Sequence, residues 1–143
     1  MIAVTGATGS LGGMIINELL KRVEANQIVA VVRTPAKASH LAEQGIVVRQ
    51  GDYADSASLV AAFDDVDKLM FVSNTDIQNR LVQHQNVVDA AKQATVKHVV
   101  YTSVALLEGK EPIAQSHITT EKMLEDNGLP CTFLRNNFYM DMY

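Results

Sequence analysis

Cysteine is almost missing from this chain. Its 143 residues contain one, Cys131, so an internal disulfide is excluded. A lone thiol fits a reducing cytosol, and a cytoplasmic location is expected. There is no tryptophan and there are only three prolines, which rules out a proline-rich linker or a polyproline segment. Basic residues are outnumbered, with 12 Lys and Arg against 16 Asp and Glu and a formal net charge of −4. Without a basic stripe, direct contact with nucleic acid or an anionic membrane surface is not expected. No apolar run approaches the ~20 residues of a membrane span. The N-terminus has no basic stretch ahead of its short apolar run, so a signal peptide is not expected. His40 and His98 lack metal-ligand spacing and Cys131 has no companion ligand, so no metal site is expected.

What is present is a globular chain of one-domain length, 48% hydrophobic and 20% charged, long enough to bury ~70% of its unfolded surface. Its organising stretch is MIAVTGATGSLG at residues 1–12. An apolar run stops at Thr5, glycines follow at Gly6, Gly9 and Gly12, and Leu11 opens a helical pattern. The spacing predicts a buried strand, a tight turn and a helix start. Gly6 allows the turn, Gly9 the approach of phosphates, and Gly12 close contact of helix with strand. Backbone N–H groups of Ala7, Thr8, Ser10 and Leu11, with the positive end of a helix dipole, would cradle a pyrophosphate. A plain glycine-rich turn carries the same letters. The position between strand and helix is what points to a dinucleotide.

Further along, Leu11, Met14, Ile15, Leu19 and Val23 recur at helical spacing. Apolar, β-branched runs predict strands at 27–32, 46–49, 68–72, 98–101 and 131–134. Helices are predicted over about 35–44, stopped by Gly45, over 56–63 capped by Asp55 or Ser56, and from Pro112 to about Asn127. A long helix after the cap-forming Ser73–Asp76 places Ile77, Leu81, His84, Val88 and Ala91 on one stripe. Residues 102–111 read as loop, and 135–143 have no clear period. Alternating strands and helices imply an α/β fold: a Rossmann-type, doubly wound parallel sheet in three αβα layers. The expected strand order is 3-2-1-4-5-6, with ligand at the carboxyl ends near the switch between the first and fourth strands.

Arg33 follows the second strand about 20 residues after the glycines, where many dinucleotide folds carry an acid for the ribose 2′-OH. A guanidinium there suits a 2′-phosphate instead, so the charge argues for NADPH over NADH. Lys37, one helical turn on, would add a second positive charge. Each also reads as a plain solvated cation. Asp52 and Tyr53 close the third strand, where Gly-Asp is also good turn chemistry. Ser73 and Asn74 end the fourth strand beside the glycine turn, along the ribose and nicotinamide side, and capping explains them too. Thr102 and Ser103 follow the fifth strand and are placed to line the pocket. His84 sits on an apolar stripe and reads as a satisfied, partly buried histidine.

The segments TGATGSLG, VVRTPAKA, GDYAD, YTS, HITTEKMLEDNG and LRNNFY resemble the atypical short-chain dehydrogenase/reductases, and within them the NmrA-like NADPH:quinone oxidoreductases. The resemblance runs over all 143 residues. It implies an NAD(P)-binding domain over residues 1–143, without the C-terminal half that supplies much of the substrate pocket in that family. It implies NADPH as cofactor, a small-molecule substrate of quinone type, and a carboxylate at Asp52 reaching the adenine amino group. It also implies that Asn137 and Phe138 pass the nicotinamide amide, although residues so near the end also read as a loose tail. A homodimer stays open. The usual acid of this group, a tyrosine with a lysine four residues later, is missing. None of the four tyrosines has that lysine. Aligned through Glu121, the tyrosine position holds Ile113 and the lysine position His117. His117 would then orient the ribose or help protonate the acceptor, or else be an exposed helix residue. Loss of the pair argues against sugar epimerase or alcohol dehydrogenase chemistry and fits hydride transfer to a quinone, whose phenolate product water can protonate. It fits equally a non-catalytic, NADP-sensing regulator of the same family.

Overall fold

A computed structural model of the chain describes residues 1–104 and 112–136, with side chains described from Ala114 onward in the second stretch. Asn137 and Phe138 lie outside the described residues. Six strands, β1 (Ile2–Thr5), β2 (Ile28–Val32), β3 (Val47–Gln50), β4 (Lys68–Phe71), β5 (His98–Val104) and β6 (Cys131–Asn136), form one sheet in the order β3-β2-β1-β4-β5-β6. Every pairing is parallel. The helices are α1 (Ser10–Leu20), α2 (Ser39–Glu43), α3 (Ser56–Ala62), α4 (Arg80–Gln93) and α5 (Pro112–Asp126), with 3-10 turns at Ala25–Gln27 and Pro35–Ala38. This is the doubly wound Rossmann-type α/β architecture expected from the alternation of strands and helices.

Strand residues alternate between two cores because successive side chains leave opposite faces of the sheet. Ala3, Val29, Val31, Leu69, Phe71 and Tyr101 face a core closed by Leu59 and Phe63 of α3 and its C-cap, Val87 and Val88 of α4, and Leu124 of α5. Val4, Ile28, Ala30 and Val32 face the other core, with Ile16 of α1 and Leu41 of α2. All five residues of β2 are buried.

The element boundaries depart from the sequence pattern in four places. The helix expected over 35–44 is a 3-10 turn followed by the short α2. α4 starts at Arg80, not near Ile77, and its buried stripe includes Arg80, His84, Val87, Val88 and Ala91. Ile77 and Leu81 are exposed. β5 runs on through Thr102, Ser103 and Val104, and β6 through Arg135 and Asn136, because the two strands pair over this polar stretch. Those residues look like loop by hydropathy, yet their backbone groups are satisfied only in the ladder.

Candidate functional site

At the end of β1 the backbone of Gly6 enters the left-handed region, with φ of 60°, and Gly9 N–H closes the turn on the Gly6 carbonyl at 3.0 Å. The turn delivers the chain into α1 at Ser10. A Cβ on Gly12 would lie 2.1 Å from the Gly6 carbonyl oxygen, so only a glycine lets the helix rest directly against the turn. Gly9, the N-cap of α1, has no side chain to cap the helix. The first-turn N–H groups and the positive end of the helix dipole are thus left for a ligand.

A cleft of about 660 Å³ opens along the carboxyl edge of the sheet over this turn. Gly6, Thr8, Gly9, Ser10, Leu11 and Gly12 form one wall. Arg33, Asp52 and Tyr53 line the β2–β3 side, and Ser73, Asn74, Thr102, Ser103 and His117 line the β4–β5 side. The cleft therefore gathers almost all of the residues expected from sequence. Ala7 is buried beneath the turn and is not part of the cleft wall. Lys37 is exposed and stands outside the lining too.

On the β2–β3 side, Arg33 is exposed at the strand end. The Asp52 carboxylate accepts from Ala54 N–H at 2.9 Å, so one of its oxygens serves the turn. The Tyr53 hydroxyl crosses to the gap between β1 and β4. It donates to the Val72 carbonyl at 2.5 Å and lies 2.7 Å from Thr5 Oγ1. Asn86 Nδ2 donates to the Tyr53 carbonyl at 2.8 Å. Burial raises the Tyr53 pKa despite the Thr5 contact, so the phenol stays neutral and acts as a strut.

The β4–β5 side rests on a buried polar cluster. Thr102 Oγ1 accepts from Ser73 N–H at 2.9 Å. The Ser103 hydroxyl donates to Glu121 at 2.6 Å, and Arg135 donates to both oxygens of the same carboxylate. Burial would raise the Glu121 pKa, but the Arg135 and Ser103 hydrogen bonds outweigh it and hold the group below its ordinary value. Arg80 is only 4% exposed. Its guanidinium donates to the Asn74 carbonyl at 2.7 Å, to Asn74 Oδ1 at 3.2 Å and to Ser116 Oγ at 3.0 Å, and it meets His117 Nε2 at 3.3 Å. Among the described residues it has no carboxylate partner. Burial lowers its pKa, partly offset by Tyr101.

Tautomers follow from these contacts. A guanidinium only donates, so His117 Nε2 accepts, and Nδ1–H faces the Tyr101 hydroxyl at 2.5 Å. Asn74 N–H donates to His84 Nε2 at 3.2 Å, so His84 Nδ1–H faces Thr120 Oγ1 at 3.0 Å. Burial first, then the Arg80 charge, pushes His84 down to about 3 and His117 to about 4. Both are neutral at pH 7. His117 is 2% exposed, not a solvated helix residue, and His84 is the satisfied core histidine its stripe suggests.

Sequence reasoning missed Arg80 and Gln83, which also line this end of the cleft. A lone arginine in a first helical turn looks like a solvated cap. The available signal was its spacing to His84, i to i+4, on a stripe whose other members are buried. Among the described residues there is no cluster of metal-ligating side chains, and no helix is long and apolar enough to cross a membrane.

A parallel sheet in this order, with a glycine turn at its switch point and a cleft along the carboxyl edge, defines a protein of the Rossmann class. Residues 1–143 match the NmrA-like family, and the chain belongs to it. It is 52% identical over its whole length to quinone oxidoreductase 2 of Escherichia coli, of which it covers 50%. The structure of NADPH-dependent quinone oxidoreductase 2 from Escherichia coli complexed with NADPH superposes with a TM-score of 0.94 at 51% identity, covering 100% of this chain and 51% of that one. The Citrobacter sp. triphenylmethane reductase complexed with NADP(H) superposes at 0.95 with 50% identity, covering 99% and 51%. The chain thus spans about half the length of the relatives it matches.

Proposed function

We propose that this chain is the cofactor domain of an oxidoreductase that takes NADPH and passes a hydride to a quinone or a similar small acceptor. The carrying observation is that the uncapped glycine turn and Arg33 line one cleft. The turn suits a diphosphate and Arg33 a 2′-phosphate, with Lys37 adding charge from outside the wall. In this reading the second Asp52 oxygen, not engaged by Ala54, reaches the adenine, and Ser73, Asn74, Thr102 and Ser103 border the nicotinamide half. The relatives described with NADPH or NADP(H) support this reading.

Bound NADPH supplies the hydride and leaves as NADP⁺. The chain contributes position more than proton transfer. His117 belongs to that positioning. Both of its ring nitrogens face protein groups, so it shapes the wall while water protonates the reduced acceptor. Steady-state NADPH oxidation with a benzoquinone tests the reading. A rate above background is expected, and none would remove it.

A further inference from the structure

The amide of Gln83 has a defined direction, and the reason lies two residues away in a chain of contacts. Arg80 Nε can only donate, so the Asn74 side-chain atom 3.2 Å from it is the oxygen. The other Asn74 atom is therefore the amide nitrogen, which donates to Gln83 at 2.6 Å. The Gln83 atom that receives it must be Oε1, which leaves Gln83 Nε2 as the free donor. Among the described residues Nε2 has no partner, and Gln83 lines the same end of the cleft as Arg80 and Asn74.

Among the described residues no carboxylate pairs with the Arg80 guanidinium at this end. Among the described residues, Asp76 also lines the cleft and keeps its charge, and Glu121 acts on His117, but neither bonds to Arg80. Asp76 accepts from Asn79 through both of its oxygens, at 3.3 and 2.7 Å. Glu121 is held by Ser103 and Arg135. His84, His117 and Tyr101 are neutral at pH 7. A buried cation is costly unless something offsets it, and among the described residues only neutral groups bond to it. A polar donor lining a cleft beside a buried cation, with no carboxylate bonded to that cation among the described residues, is an arrangement that stabilises a developing oxyanion.

We propose that Gln83 Nε2, oriented through Asn74 by Arg80, forms an oxyanion subsite that receives the oxygen of the acceptor. The proposal rests on the quinone reading above. The quinone takes up the hydride that NADPH gives up in becoming NADP⁺. The electron pair comes to rest on a ring oxygen as a hydroquinone monoanion, which water then protonates. Gln83 donates to that oxygen, and Arg80 supplies the field and fixes the amide. Arg80 is a positioning residue and Gln83 the group in contact. A triphenylmethane cation, by contrast, accepts the hydride at carbon and yields a neutral product with no oxyanion.

The test uses Gln83→Met, which keeps the length and removes the donor, and Arg80→Lys, which keeps the charge and loses the fork that pins Asn74. In the first arm 4-nitrophenolate, a stable phenolate, is titrated by absorbance into the NADP⁺-loaded protein. Both variants are expected to bind it about tenfold more weakly, as the loss of one hydrogen bond to a charged group implies. Equal binding by wild type and Gln83→Met, or no saturable binding by wild type, overturns the subsite. In the second arm NADPH oxidation is measured with a benzoquinone and with a triphenylmethane dye. The quinone-to-dye ratio of kcat is expected to fall about tenfold in Gln83→Met, with the NADPH dissociation constant within twofold. An equal fall with both acceptors, or a large rise in that constant, also overturns the subsite. No quinone turnover by wild type removes the quinone reading, and the phenolate arm still decides the subsite.

Discussion

Gly12→Ala is the sharpest test of the turn. The added Cβ would sit 2.1 Å from the Gly6 oxygen, 2.8 Å from the Gly6 carbonyl carbon and 3.0 Å from Ala7 Cα. All three neighbours are backbone, so no side chain can rotate away. Restoring ordinary contact requires α1 to retreat roughly 1 Å from the turn. Overpacking of this kind costs about 2–3 kcal/mol, a fall in Tm of roughly 6–10 °C for a domain of this size. The same retreat lengthens the N–H contacts that the first turn offers a diphosphate, so NADPH affinity should fall at least about tenfold. Gly13→Ala is the control. Its Cβ meets nothing within 4 Å, and alanine in the helix should stabilise by about 0.5–1 kcal/mol. Thermal melts and fluorescence titration of NADPH check both. A Gly12→Ala protein that melts and binds like wild type refutes the close-contact reading, as does equal damage from Gly13→Ala.

Three further outcomes are expected. Arg33→Asp should weaken NADPH by about ten- to a hundredfold and shift preference toward NADH, since it removes a charge-assisted contact and adds repulsion. Paired titrations check this, and an unchanged NADPH-to-NADH ratio sinks the Arg33 assignment. Tyr53→Phe should cost about 1–2 kcal/mol in denaturant unfolding, because the Val72 carbonyl loses its partner. An unmoved midpoint would show that the strut carries no weight. Stability should fall with acid between pH 6.5 and about 4. His84 and His117 resist protonation when folded but accept it near 6.5 when unfolded, so the unfolded state binds more protons in that window. The slope is at most roughly 1.4 kcal/mol per pH unit for each histidine, read from urea midpoints. His84→Gln should flatten it.

The sheet order was legible because each β-branched run is followed by a helical period or a breaker, and few topologies fit that alternation. The glycine turn was legible because its three glycines do separate steric jobs at fixed spacing. Less local features were not. The register of β5 against β6, not hydropathy, makes Thr102–Val104 strand. The exposed Ile77 and Leu81 imitate a buried face and pull the apparent start of α4 forward. Arg80 is buried by Asn74 and by Ser116, which stands 36 positions away, a separation no local pattern reveals. His117 was placed from a resemblance, but its neutral state comes first from burial and then from the guanidinium beside it.

The Tyr53 hydroxyl acts like a rivet where the first and fourth strands part. The width of the crevice is thereby set while the chain folds, and an arriving nucleotide has little left to organise. The same ring packs edge-on against Phe71 and His84. A void opened deep under the sheet edge should therefore be felt at the mouth as a weaker grip on ligand, even though no atom that touches the ligand has changed.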